Sequence, residues 1–332
     1  MHSVDPNHHL SWLFLTADHA EIIWNSTAIS PLCTRLVSLI IPKIISLGEV
    51  LWDLFPDGEQ FGGAPANFAC HAAILGGDVS MVSAVGDDSH GRSAIRILEG
   101  YGINTGLVQV ASDATTGTVG VEVDAGGKPT FTIHAESAWD QLAWNDELET
   151  QISNADAVYF GTLGQRAKVS RTTITLALKA ASNVPRVLDI NLRPPFFDAT
   201  LIRESIKLAS ILKFSDEELA TVCHACGLKS GECPAVQLGQ LLEQQRLDLV
   251  IMTRGADGVT LATSDGTVEH PGIPTNVVDT VGAGDSFTAA FLLGLLRGDS
   301  HADNLRNACT VAAGVCAHAG AVPDRGSIGE SQ

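Results

Sequence analysis

The segment Asp279-Thr280-Val281-Gly282-Ala283-Gly284-Asp285 runs directly into an apolar stretch that reads as a helix. Gly282, Ala283 and Gly284 leave backbone N–H groups uncovered where that helix begins, and a helix N-terminus attracts anions. Asp285 falls in the first turn of the same helix. A carboxylate beside an anion cradle repels phosphate, so simple phosphate binding does not favour it there. The pairing suits a base that takes a proton from a hydroxyl while the cradle holds a transferring phosphoryl group. The competing reading is structural, because acidic first turns complement the helix dipole and Gly is ordinary in loops. Two nucleotide motifs are absent. There is no G-x-x-x-x-G-K-[ST], and no G-x-G-x-x-G follows the first expected strand, which disfavours a P-loop enzyme and a dinucleotide dehydrogenase.

The remaining polar and Gly-rich residues gather where strands are expected to end. Gly48-Glu49 and Asp53 follow Lys43–Leu47, and Gly62-Gly63-Ala64-Pro65-Ala66-Asn67 opens a helix from Pro65 to Leu75. Asp189 stands at the end of 186–190, with Asn191 and Arg193 following it, Ser215 and Glu218 follow 211–214, and Thr253-Arg254-Gly255 follows 249–252. Those short β-branched runs, with 79–85 and 157–160, read as buried strands. Helices are expected at 90–99, 169–181, 201–209, 216–226, 285–297 and 302–317. Gly76-Gly77 closes the helix from Pro65, and Gly100 closes the one over 90–99. Repeated βα units predict a mostly parallel sheet with helices on both faces, and ligands bind outside the carboxyl ends of such strands. Val119, Val121 and Val123 alternate with polar residues, turn at 125–129 and return through Thr130–Ile133, a hairpin with one polar face. With 51–61, folded around Pro56-Asp57-Gly58, it predicts a small accessory sheet over about 50–63 and 117–140.

Gly62-Gly63-Ala64-Pro65-Ala66-Asn67-Phe68-Ala69 resembles the N-terminal motif of the ribokinase-like (PfkB) carbohydrate kinases, and 279–287 resembles their C-terminal motif. Both match without a gap and in order, and the similarity runs from about Lys43 to Pro323. Gly48-Glu49-Val50-Leu51-Trp52-Asp53 and Ala138-Trp139-Asp140 are most similar to the bacterial fructokinases of that family. The resemblance implies an α/β ribokinase-like fold and ATP-dependent transfer of a phosphoryl group to a primary hydroxyl of a hexose, fructose at O6. Asp285 would be the base and Gly282, Ala283 and Gly284 the anion hole. Asp53, Gly63 and Asn67 would hold sugar hydroxyls, with Arg166 a further sugar or phosphate contact. Glu218 matches the Glu of the family's Asn-x-x-Glu motif, which organises Mg²⁺ and its waters, but Ser215 stands where that motif has Asn. Thr253 and Gly255 match the loop that meets the nucleotide, with Lys213 and Gly258 as neighbours. The backbone of Asp279 and Val281 would serve a monovalent cation such as K⁺. The accessory sheet would be a lid over the sugar and the surface of a homodimer. A nucleoside kinase, a keto-sugar-acid kinase and a catalytically silent sugar-binding regulator stay open as alternatives.

Composition narrows the rest. Twenty Lys and Arg against 38 Asp and Glu leave a net charge of −18 on 332 residues, without the basic footprint of a nucleic-acid binder. Only 17% of residues are charged and 45% are hydrophobic, which excludes a disordered chain. No membrane span is legible, since Pro31, Arg35, Pro42 and Lys43 interrupt the most apolar stretch, nor a secretory signal, since Asp5, Asp18 and Glu21 precede that stretch and no small-residue cleavage site follows, so a cytoplasmic enzyme is expected. Seven Cys form no disulfide framework; Cys223-His224-Ala225-Cys226 with Cys233 lacks a second pair at finger spacing and reads as structural. The first 40 residues carry no regular pattern and are expected to be a poorly ordered extension of a domain spanning 41–330.

Overall fold

The computed structural model describes residues 41–123, 129–229 and 231–323; the expected N-terminal extension and the hairpin turn at 124–128 lie outside them. The first βα unit is β1 (Lys43–Leu47) and α1 (Ala64–Ile74), with β2 (Leu51–Phe55) and β3 (Gly58–Gly62) inserted between. Next come β4 (Asp78–Gly86), α2 (Ser89–Gly100), β5 (Val108–Ala111), β6 (Gly117–Val123) and β7 (Pro129–Ile133). Then follow α3 (Asp146–Ser153), β8 (Ala157–Gly161), α4 (Lys168–Ala180), β9 (Arg186–Asp189), α5 (Ala199–Leu208) and β10 (Ile211–Ser215). The chain continues through α6 (Leu219–Ala225), α7 (Pro234–Gln245), β11 (Leu249–Thr253), β12 (Val259–Thr263), β13 (Gly266–His270), α8 (Ala283–Arg297) and α9 (His301–Cys316).

Nine strands form one sheet in the order β13-β12-β11-β10-β9-β8-β1-β4-β5. From β11 to β5 all neighbours are parallel, while β12 and β13 add antiparallel at the edge. Strand order reverses between β1 and β8, so the crevice at their carboxyl ends is the topological switch point. Alternate residues feed two cores. Ile44 and Tyr159 pack with Phe68, Phe287 and Phe291 on one face. Ile45, Leu47, Val158 and Phe160 pack with Ile174, Leu178 and Ile206 on the other. Burial on both faces is why these strands read as apolar runs without alternation.

A separate four-stranded sheet, β3-β2-β6-β7, is the expected accessory sheet. It is shorter than the sequence predicts. Its last strand ends at Ile133, and Ala138–Gln141 forms a tight helical turn instead, with Trp139 2% exposed. Gly117 makes room for that indole, because a Cβ there would collide with Trp139 Nε1. Trp139 is therefore core, whereas half-buried Trp52 stays on the accessory sheet and donates to His90 O at 3.2 Å. Among the described residues no helix is long and apolar enough to cross a membrane.

Candidate active site

Helix α8 starts at Gly282, whose φ of 77° places it in the left-handed region where Gly is at ease. A Cβ at Gly282 would run into the Ala321 carbonyl, so the loop after α9 braces the start of α8. His71 of α1 reaches the same carbonyl at 2.8 Å. The Ala283 N–H turns back to Thr280 O at 3.3 Å. No backbone partner is seen for the Gly282 and Gly284 amides among the described residues, so these two are the open donors of the cradle. Asp279 fixes the approach, its carboxylate accepting from Val281 N at 3.0 Å and Gly320 N at 3.0 Å.

Asp285, 8% exposed, accepts from Asn67 Nδ2 at 3.0 Å. That contact joins the two Gly-rich segments, 218 residues apart in sequence. Burial, reinforced by the nearby Asp189 carboxylate, pushes the Asp285 carboxyl up to about 7, against the pull of Asn67, Lys213 and Arg193. Asn67 Oδ1 is buried without a protein partner, an acceptor left over for something the chain itself does not supply. Lys213, 7% exposed, holds Asp189 at 2.8 Å, and its Nζ would lie 2.9 Å from a Cβ at Gly284. Burial acts against the ammonium, but Asp189, Asp285 and Glu218 outweigh it and raise the Lys213 pKa. A held cation thus stands beside the amides at the helix start.

Gly63 caps α1 with φ 105°, and a Cβ there would crowd Glu49 O. Glu49, just after β1, is one of the polar residues expected at a strand end, and the sequence assigns it no role of its own. It is 3% exposed, accepts from the Ala64 N–H and keeps Oε2 buried without a partner. Burial lifts its carboxyl to about 7. Asp53 lies on β2 of the accessory sheet, with burial raising it to about 6. Gly62 clears its path, since a Cβ there would be 2.8 Å from Asp53 Oδ2. Exposed Arg193 is the cation common to Glu49, Asp53, Asp189 and Asp285, lowering all four. The Asp189–Arg193 segment thus faces these carboxylates.

Arg166 is already engaged by the chain itself. Instead of standing free for a ligand, its Nε and Nη2 grip Asp140 at 2.8 and 2.7 Å, and Nη2 also reaches His134 O at 2.8 Å. Only Nη1 lacks a protein partner. Glu218 is likewise occupied. Its Oε1 accepts from Leu192 N at 2.6 Å and its Oε2 from Ser215 N at 2.8 Å. The Ser215 hydroxyl joins Oε2 at 3.2 Å, so Ser and Glu close a capping box where the family motif has Asn. Thr253 ends β11 in register with Ser215 on β10, placing both on one rim of the sheet. Gly255 and Gly258 bend the next turn with φ of 52° and 91°. Cys223 is buried and Cys226 half-buried, while Cys233 is exposed before α7. Among the described residues no three His, Cys, Asp or Glu come together to hold a metal ion.

Comparison with known proteins bears on this geometry. Residues 56–325 match the family described as "pfkB family carbohydrate kinase". The chain is 31% identical over 283 residues to probable fructokinase-5 of Arabidopsis thaliana, covering 79% of this chain and 86% of that protein. It is 31% identical over 265 residues to fructokinase of Klebsiella pneumoniae, covering 76% and 84% respectively. The sugar kinase PH1459 of Pyrococcus horikoshii, solved in complex with ATP, superposes with a TM-score of 0.73 at 27% identity, over 86% of this chain and 96% of that one.

Proposed function

Given that this chain belongs to the pfkB family of carbohydrate kinases, and is a phosphotransferase acting on a sugar hydroxyl, we propose that it transfers the γ-phosphoryl group of ATP to O6 of fructose. The fructokinases among its relatives support the sugar, and the ATP complex of PH1459 supports the donor. One observation carries the mechanism: a buried carboxyl, Asp285, raised to about 7 at the start of the helix whose Gly282 and Gly284 amides are open.

In this reading the Asp285 carboxylate takes the proton from the sugar hydroxyl as its oxygen attacks phosphorus. A carboxyl near 7 is a stronger base than an ordinary one and is still ionised in part at neutral pH. The open amides of Gly282 and Gly284 form the anion hole, while Ala283, expected there too, turns its N–H to Thr280 O, and Lys213 adds positive charge beside it. Asn67, Gly63 and Asp53 orient sugar hydroxyls, Asp53 arriving with the lid and helping to exclude water. Ser215, Thr253, Gly255 and Gly258 line the nucleotide side. Bound Mg²⁺ would neutralise charge between the phosphates. The residues present fit a metal that would arrive with the phosphates, since Glu218, with both oxygens accepting from backbone amides, would hold it through water rather than directly. The carbonyls of Asp279 and Val281 are assigned to a monovalent cation, K⁺. The enzyme is placed in the cytoplasm, in keeping with six described cysteines that are all free thiols.

The test is phosphorylation of a panel of sugars, sugar acids and nucleosides with ATP and Mg²⁺, with product analysis. Fructose 6-phosphate as the main product is expected. Turnover confined to nucleosides or sugar acids would reject the assignment.

A further inference from the structure

His71 sits on α1 one turn after Asn67, on the same face of the helix. Asn67 reaches the Asp285 carboxylate in the first turn of α8, and His71 reaches the Ala321 carbonyl that a Cβ at Gly282 would run into. One helix thus touches both sides of the point where α8 begins. It is also firmly seated, since Phe68 of α1 packs with Phe287 and Phe291 of α8. Side chains from three parts of the chain pin the segment that carries Ala321. Asp279 accepts from Gly320 N at 3.0 Å, Tyr101 Oη donates to Pro323 O at 3.2 Å, and His71 takes Ala321 itself at 2.8 Å. A carbonyl only accepts, so Nε2 of His71 carries a proton. The ring is 3% exposed, and burial lowers its pKa against the pull of that carbonyl. His71 is therefore neutral and does not answer the dipole at the end of α1 with a charge. Its hold on Ala321 is what remains.

We propose that His71 is a positioning residue for phosphoryl transfer: it holds Ala321 against Gly282 and so keeps the open amides of the anion hole aimed, without touching sugar or nucleotide. The inference rests on the sugar-kinase reading above. Gly282 has no Cβ, so its peptide is located by what packs on that bare face, and the Ala321 carbonyl fills it. A buried carbonyl that loses its donor turns elsewhere for one. The Gly282 peptide would follow, and its amide and that of Gly284 would drift off the phosphoryl oxygens. Fixed donors count most where charge builds in the transition state, so the loss should fall on kcat. Asn67 keeps its place one turn earlier, so sugar binding should be spared.

The test compares His71→Leu and His71→Gln with wild type for kcat and fructose KM at saturating ATP, at a temperature where melting curves show each protein folded. Leu fills the space without a donor. Its kcat should fall about 10–100-fold, the scale of a misplacement near 1 Å, with fructose KM little changed. Gln carries an amide N–H about as far out as Nε2 and should recover most of that loss. A folded Leu variant with near-normal kcat overturns the proposal. So does a Gln variant as slow as Leu, or a loss that falls on KM instead of kcat. Should the Leu variant not fold, His71→Asn takes its place. Its amide is too short for Ala321 O, so kcat should again fall, and normal turnover would contradict the assignment. A wild-type enzyme that ignores fructose but phosphorylates another acceptor removes the fructokinase reading alone, and the same variants then decide the role of His71 on that acceptor.

Discussion

At the scale of single residues, function here is held against stability. The Asp285 carboxyl stands at about 7 in the fold against an ordinary 3.8, so the folded chain binds its proton more tightly than the unfolded chain does. The stability that this proton confers is complete below pH ~4 and is lost as pH rises through about 7. Glu49, at about 7, acts in the same direction. Asp285→Asn should therefore melt above wild type at pH 8, and the gap should close toward pH 4. The difference at pH 8 should be on the order of a few kcal/mol, because each tenfold change in proton affinity is worth about 1.4 kcal/mol. Thermal melts of both proteins across that range decide it; a variant that melts below wild type at pH 8 contradicts the strained-carboxyl account. The same titration sets activity, so wild-type kcat/KM should climb with pH through about 7 and then level off. Asp53→Ala is expected to raise the KM for sugar while moving the nucleotide KM little, because Asp53 is assigned to ground and transition states alike.

Among the elements, the start of α8 is the least forgiving. Gly282→Ala puts a Cβ against the Ala321 carbonyl at a φ of 77°, which should cost about 1–3 kcal/mol in denaturant unfolding and lower kcat, because the open amides move with it. A variant with normal stability and turnover would show that the cradle needs no such backbone. This loop and its helix were legible in the sequence because Gly, Ala and Asp sit where an apolar run begins. β1, β8 and β10 were legible as β-branched or apolar runs. Other elements were not. α3 has eight residues and buries only Leu148 and Ile152, too few for a 3.6-residue period to emerge. β12 and β13 form an edge hairpin within a run of βα units, in a stretch where the sequence pattern suggested no element. Nor could spacing reveal the ion pairs. Lys213 meets Asp189 because β9 and β10 pair in that register, and Arg166 meets Asp140 across the turn that follows the lid. Glu49 reads as one more polar residue after a strand, and only the fold buries it.

The whole molecule is read as a ribokinase-like body carrying a lid sheet, with β3 and β7 at the lid's edges and Phe131 of β7 54% exposed. Unpaired edges and an exposed aromatic suit pairing between two copies. Sedimentation should therefore give a dimer that Phe131→Glu weakens, whereas a monomer at all concentrations would refute the lid as an interface. A chain beginning at Ile41 should fold and phosphorylate sugar, since both cores and every assigned site residue lie beyond that point. All of this turns on a proton leaving the sugar for Asp285. The most direct measurement is steady-state transfer from ATP to fructose by Asp285→Asn, alongside nucleotide binding to the same variant. Loss of the base should cut kcat by ~10²–10⁴-fold, while nucleotide affinity holds or rises with the negative charge gone from the anion hole. An Asp285→Asn enzyme with near-normal kcat would contradict the account.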